Sequence, residues 1–398
     1  MTSTTLSPTA SISAQTCNRM VAWRRDFHAH PETAFEEHRT AQVLVRALET
    51  MGLEVHRGLA GTGVVATLRN GEGPTIGLRA DMDALHICER GTAPHASTVP
   101  GKMHGCGHDG HMAMLLGAAQ HLSEHRSFEG TVHFIFQPAE ENEGGGRAMV
   151  EQGLFKLFPC DAVYGLHNAP GLAFGHFATR PGPMLACSDL FEIVITGKGA
   201  HAAHPQDSVD PVLASAQLIA ALQGIVSRNV SAADALVVSV TQIQGGDTWN
   251  VIPESVTLRG TCRAFLPAVQ DRAEARIRAI CAGVAESSET GICLNYRRHY
   301  PAVVNTPEHV DVVARAASKL VGAEQVDAQC ALRMGSEDFA FMLQACPGAY
   351  AIIGTARTRN DPPVHNPLYD FNDDILSLGA AYWVTLAHEA LRGPELAG

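Results

Sequence analysis

The run Thr131–Phe136 is apolar except at His133, and it stops at Gln137-Pro138-Ala139-Glu140-Glu141. A strand without a polar face has to be covered on both sides, which calls for helices above and below a sheet. Helical spacing does bracket it, over His111–Ser123 before and Gly144–Gly153 after. The alternation extends outward in both directions. Helices are predicted over Thr16–Phe27, closed by Pro31, and over Glu36–Met51, stopped by Gly52. Strands are predicted at Gly63–Leu68, Thr75–Arg79 and Ala162–Leu166, the last ending in His167-Asn168. Strands alternating with helices predict an α/β fold, a mainly parallel sheet flanked by helices. Such folds bind ligands beyond the carboxyl ends of their strands. The residues after Arg79, Phe136 and Leu166 fall there.

The pattern changes near residue 188. Strands at Leu190–Thr196, Ala235–Ile243, Ser255–Phe265 and Cys293–Arg298 are interleaved with helices at Asp210–Arg228 and Val269–Glu286. The order β-α-β-β-α-β is that of a ferredoxin-like α+β unit. After Pro301 the helix–strand alternation resumes through Val310–Val321, Ala349–Ile353 and Ile375–Leu391. At 398 residues the chain exceeds the size at which one core keeps growing. The expected organisation is therefore a discontinuous domain over 1–187 and 302–398, with an inserted domain over 188–301.

Twenty-nine basic residues against 41 acidic ones give a formal charge of −12. That balance disfavours nucleic acid or an anionic membrane as a partner, since both need a basic face. No apolar stretch approaches the ~20 residues that span a bilayer. Met1–Pro8 lacks the basic and apolar regions of a secretory signal and is expected to be a short disordered leader. The ten cysteines show no small-domain disulfide spacing. Most have apolar neighbours, as buried thiols of a cytoplasmic protein would.

Chemistry concentrates in Met103-His104-Gly105-Cys106-Gly107-His108-Asp109-Gly110-His111. Any one of these residues alone would read as structural. A thiol and three imidazoles among glycines are too polar and too dense for a core, and thiolate with imidazole suits transition metals. Cys106 and His108 are the stronger ligand candidates; His104 and His111 are expected to support or cap. Adjacent acids such as Glu140-Glu141 often just start a helix. At the end of an apolar strand they can divide labour, one holding metal and one taking a proton. His167 and His365 are each ambiguous alone, the latter within Pro362-Pro363-Val364-His365-Asn366-Pro367. Asp81 and Asp83 could fix ligand imidazoles from behind, or form a plain acidic turn. The loops Gly197–Pro205, with His201, and Gly245–Pro253, with Asn250, are polar, and Arg263 ends a strand; spacing assigns them no role.

Together these segments resemble the aminoacylase/carboxypeptidase family of co-catalytic metallopeptidases. Within it they resemble the amidohydrolase branch of hippurate hydrolases, N-acyl-L-amino-acid amidohydrolases and indole-acetyl-amino-acid hydrolases. The resemblance rests on Arg25–Glu32, Arg79–Leu85, Gly101–His111, Gln137–Glu141, Met334–Phe339 and His365-Asn366. It implies that Cys106, His108, Glu141, His167 and His365 hold two divalent metal ions (Mn, Zn, Co or Ni). It implies Glu140 as the general base, and His201 as an oxyanion donor reaching the other subunit of a dimer built through the inserted lid. Asn250 and Arg263 would grip the substrate. The implied reaction is hydrolysis of the amide of an N-acyl L-amino acid. A dipeptidase or N-carbamoyl-amino-acid hydrolase on the same two-metal site, and a hydrolase using Cys106 as a thiol nucleophile, are the alternatives. His86 and His204 stand where the branch commonly has proline and an apolar residue, which bears on substrate preference.

Overall fold

The computed structural model describes residues 11–392, so the leader expected at Met1–Pro8 lies outside the described residues. Two units divide the described chain: residues 11–182, 304–331 and 338–392, and residues 183–303 with 332–337. In the first, eight strands form one sheet. Their spatial order is Glu54–Leu59, Gly63–Asn70, Gly130–Gln137, Thr75–Asp81, Ala162–Ala173, Gly348–Ala356, Phe177–Ala178 and Val326–Asp327. The four strands from Gly130–Gln137 to Gly348–Ala356 run parallel. Antiparallel pairings flank them on both sides.

The apolar run that anchored the sequence reading is buried at every position of Gly130–Gln137. Helices cover it as that burial demands. His108–Glu124 is buried along nearly its whole length, and both Ala14–Ala29 and Leu376–Leu391 pack against it. Met20, Phe27, Leu115, Phe134 and Trp383 belong to one continuous core.

In the second unit, Leu236–Gln244, Ser255–Ala264, Ser188–Thr196 and Gly291–Tyr300 lie in that order in an antiparallel sheet. Helices Pro211–Arg228 and Pro267–Ser288 supply Leu218, Leu222 and Ile277 to a core with Phe191, Ile193 and Leu258. Burial alternates along Ser188–Thr196, as it must when helices cover one face only. The chain order is the expected β-α-β-β-α-β, with a two-stranded ribbon of Ala200–His201 and Val251–Ile252 added.

Three expectations are corrected. Residues 332–337, expected with the first unit, pack with the second, where Ala186 N–H donates to the carbonyls of Arg333 (3.1 Å) and Gly335 (2.9 Å). The strand expected to end at Leu166 continues to Ala173, because pairing with Gly348–Ala356 persists through His167 and Asn168. The helix expected from His111 starts at His108, because Gly107 takes a left-handed φ of 94° just before it. The edge strand Glu54–Leu59 and the helix Phe339–Ala345 carry too little periodicity to be predicted.

Candidate metal centre

Two neighbouring strands, Gly130–Gln137 and Thr75–Asp81, end level with one another, and Ala162–Ala173 runs on beside them. Asp81 lies opposite Gln137, and Arg79 lies between Ile135 and Gly165. The pairing of Thr75–Asp81 with Ala162–Ala173 stops at Gly165, so His167 emerges where that side of its strand is free. Beyond these ends run the turn Pro138–Glu141, the loop before helix His108–Glu124, and the loop bearing His365. Gly107 permits the close approach: a Cβ there would fall 2.4 Å from Asn168 Oδ1 and 2.7 Å from the Tyr369 hydroxyl. The main chain of His365, at φ 66°, is tied in by its N–H donating to Gly105 O at 2.7 Å.

Five candidate ligands converge on the Cys106 thiol. Its Sγ is 3.4 Å from His167 Nε2 and 3.3 Å from His365 Nε2. His365 Nε2 is 3.0 Å from Glu141 Oε1. One donor atom each from Cys106, His108 and Glu141 lie within 4.8 Å of one another, as do donors from Asp81, His108, His111 and His167. His108 is common to both sets. Its Nδ1–H donates to the Asp83 carbonyl (2.9 Å), and His167 Nδ1–H donates to the Asn168 carbonyl (2.7 Å). Main-chain carbonyls thus turn the Nε2 lone pairs of both rings into the site.

The charge balance fits a cation. His108 Nε2 is buried and makes no hydrogen bond. Burial opposes charge on His108, but Asp81, Asp83 and Glu141 outweigh it and push the imidazolium up to about 10. Positive charge is favoured at that ring. Burial, with His111 alongside, pushes His167 well below its ordinary range. Burial and the carboxylates of Glu141 and Glu140 push the Cys106 thiol well up. A neighbouring cation is what converts such a thiol to a ligand, whereas a thiolate nucleophile needs the opposite shift from its own protein. Asp81 resists its own burial and is held well below the carboxylate range by His108, His111 and Arg79.

His111 has both ring nitrogens engaged, Nδ1 with Asp81 Oδ1 (2.6 Å) and Nε2 with Asn168 (2.7 Å to Oδ1). Its place is behind the donors. His104 is buried with neither nitrogen bonded. The Asp83 carboxylate lies 3.3 Å from His108 Nδ1, and its two oxygens also accept from Glu140 N–H (3.0 Å) and Glu141 N–H (2.9 Å). Glu140 is itself buried. Gly145 lets the same turn close, since a Cβ there would meet the Pro138 carbonyl at 1.8 Å.

A buried network absent from the sequence reading supports the ligand loop. Asp109 is held well below its ordinary range, against burial, by Arg24 (3.1 Å) and His28 (2.7 Å). Arg24 also reaches Asp370. Arg79 bridges Gln137 (2.8 Å), Asp81 (2.8 Å) and Asp338 (3.1 Å), joining two strand ends to the start of helix Phe339–Ala345. Buried arginines on helix- or strand-ending motifs were the available signal.

In the second unit, His201 is exposed on its short strand; its Nδ1 accepts from Ala203 N–H at 3.0 Å. Asn250 lies beside it through Ala202 N–H, which donates to the Asn250 carbonyl at 2.9 Å. Arg263 is half-buried, donates to Ser336 Oγ at 3.1 Å, and is lowered by burial.

The model of peptidase family M20/M25/M40 matches residues 77–389. The chain is 40% identical to IAA-amino acid hydrolase ILR1-like 2 of Arabidopsis thaliana, covering 94% of this chain and 85% of that protein. It is 38% identical to the hippurate hydrolase of Campylobacter jejuni, over 93% and 96% of the two chains. Among solved structures, the Bacillus subtilis YXEP protein, described as a dinuclear metal binding peptidase from the M20 family, superposes with a TM-score of 0.82. That match has 34% identity and covers 96% of this chain and all of the other (100%).

Proposed function

This chain belongs to peptidase family M20/M25/M40, and from that membership we propose that it is a metal-dependent amidohydrolase of N-acyl L-amino acids, releasing a carboxylate and a free amino acid. One observation carries the reading: donors from Cys106, His108, Glu141, His167 and His365 gather at the ends of parallel strands beside the buried Glu140. These five residues would hold two divalent ions, drawn from Mn, Zn, Co or Ni. When bound, such ions acidify water from a pKa of ~16 toward ~7 and polarise the scissile carbonyl.

The remaining steps belong to the protein. Glu140 accepts the proton of the attacking water and returns it to the departing amine. Asp81 and Asp83 keep the imidazoles and the base in register. His201 donates to the oxyanion, a contact worth about 3–4 kcal/mol when well placed. Asn250 and Arg263 grip the substrate, the guanidinium suiting its carboxylate.

We assign a homodimer through the second unit, with His201 serving the partner's site. The support is an edge strand, Leu236–Gln244, whose Ile243 is 61% exposed, followed by a loop whose Trp249 is wholly exposed. Unpaired edges with exposed apolar side chains invite association. Thiols buried in apolar surroundings, as at Cys187, Cys262 and Cys281, suit the cytoplasm.

Metal-reconstituted protein should hydrolyse at least one of N-acetyl, N-benzoyl, indole-acetyl or N-carbamoyl amino acids. EDTA should abolish this and added metal restore it. Glu140→Ala should lower kcat by about 10²–10⁴-fold with metal content unchanged. Activity persisting in EDTA would instead point to Cys106 as a nucleophile, and preference for the N-carbamoyl substrate to the neighbouring reaction class.

A further inference from the structure

We propose that Glu37, outside the ligand set, is the positioning residue that holds the Glu140 turn; the proposal rests on Glu140 being the base. Glu37 occupies the N-cap of helix His38–Thr50 yet caps nothing. That work is done by Glu32, whose carboxylate accepts from Arg39 N–H (3.0 Å) and Thr40 N–H (2.8 Å). The Glu37 side chain turns inward instead and is fully buried. Its Oε1 accepts from Ala139 N–H at 2.9 Å, and its Oε2 from the Thr62 hydroxyl at 2.7 Å.

With Asp83 on the next two amides, the consecutive N–H groups of Ala139, Glu140 and Glu141 all end on buried carboxylate oxygens. Ala139 is left-handed at φ 53°, and Asn142 follows at φ 72°. An alanine keeps that conformation only where its surroundings over-determine it. Ordinary turns satisfy their amides with water or neutral acceptors, and burying two carboxylates on one turn is a costly alternative. Such violations of local economy concentrate where a side chain has to be held still. The side chain held here is Glu140, the next residue along.

The test compares E37A, E37D and E37Q by kcat, KM and metal per chain, in the wild-type and E140Q backgrounds. Gln retains an acceptor for Ala139 N–H and an amide that can donate to Thr62. Asp is one methylene too short to reach both. Expected are a kcat loss of about 10- to 100-fold in E37A and E37D, with KM and metal content unchanged, and recovery to within about fivefold in E37Q. In the E140Q background E37A should cost less than about twofold, since the residue it positions is already disabled. The proposal is overturned by E37A or E37D within about twofold of wild-type kcat, by loss of metal, or by an equal loss in both backgrounds. If E37A fails to fold, the contrast between E37D and E37Q decides alone. An inactive wild type, or an active E140Q, removes the base itself; a dead E140Q beside an unimpaired E37D removes only Glu37.

Discussion

Asp83→Asn separates the two uses to which Asp83 is put. Its main-chain carbonyl orients His108, and its carboxylate, 1% exposed as a residue, takes the amides of Glu140 and Glu141. Asparagine leaves the carbonyl untouched. It keeps one side-chain acceptor but turns an NH₂ group toward the second amide, at a separation near the present 2.9–3.0 Å. A buried donor left without an acceptor costs about 1–3 kcal/mol, and loss of the charge weakens the surviving bond by about 1 kcal/mol. The turn therefore loses roughly 2–4 kcal/mol. If about half of this is felt as displacement of Glu140, at ~1.4 kcal/mol per factor of ten, kcat should fall about 5- to 30-fold. Urea unfolding of the metal-loaded protein should show a lower midpoint with an unchanged m-value. Metal content should stay at the wild-type level because the His108 tautomer is preserved. A variant as stable as wild type with full kcat would refute the reasoning, since the two amides would then have found other acceptors. Full kcat with lowered stability would show that the turn can move without moving the base.

Two further outcomes follow from other parts of the molecule. His133 is buried in the central strand against the Thr67 hydroxyl (3.0 Å), and burial pushes it down to about 4. With an unfolded value near 6.5, the unfolded chain binds the proton first as pH falls, so stability is full above that value and is lost between about pH 6.5 and 4. Between pH 7 and 5 this single group should remove about 2 kcal/mol, and His133→Leu should flatten the urea-midpoint profile by that amount; an unchanged slope would show that the group is free to charge in place. Trp249, wholly exposed, should matter to assembly and not to folding: Trp249→Glu should convert the proposed dimer to a monomer in light scattering and lower kcat through loss of the partner's His201, leaving the melting temperature within about 2 °C. A dimer that survives this change is not built on that loop.

The parts of the fold that were legible are those whose cause is local. A strand covered on both faces declares itself by apolarity, as in Gly130–Gln137, and a one-face strand by alternation, as in Ser188–Thr196. The ligand loop was legible because thiol, imidazoles and glycines crowd one short segment. What stayed hidden depends on residues far apart in the chain. Glu54–Leu59 has mostly exposed side chains and exists as a strand because Gly63–Asn70 offers it an edge. Residues 332–337 could not be assigned because nothing in their composition says that Ala186 takes their carbonyls.

The same division runs through the site. Asp83 could support an imidazole or form a plain acidic turn; its carboxylate does lie 3.3 Å from His108 Nδ1, but a main-chain carbonyl, available at any residue, shares that work. The same side chain also binds amides 57 and 58 residues away. Glu37 sits where a helix N-cap belongs, and its real contact is 102 residues distant. In both cases a carboxylate is spent on main-chain N–H groups, which carry no residue identity and so leave no trace in the partner sequence. Side chains that touch other side chains can be guessed from types and spacing; those that touch backbone cannot. A turn that must hold a proton-transferring carboxylate is mostly backbone. The residues that place it are therefore the ones a sequence conceals best.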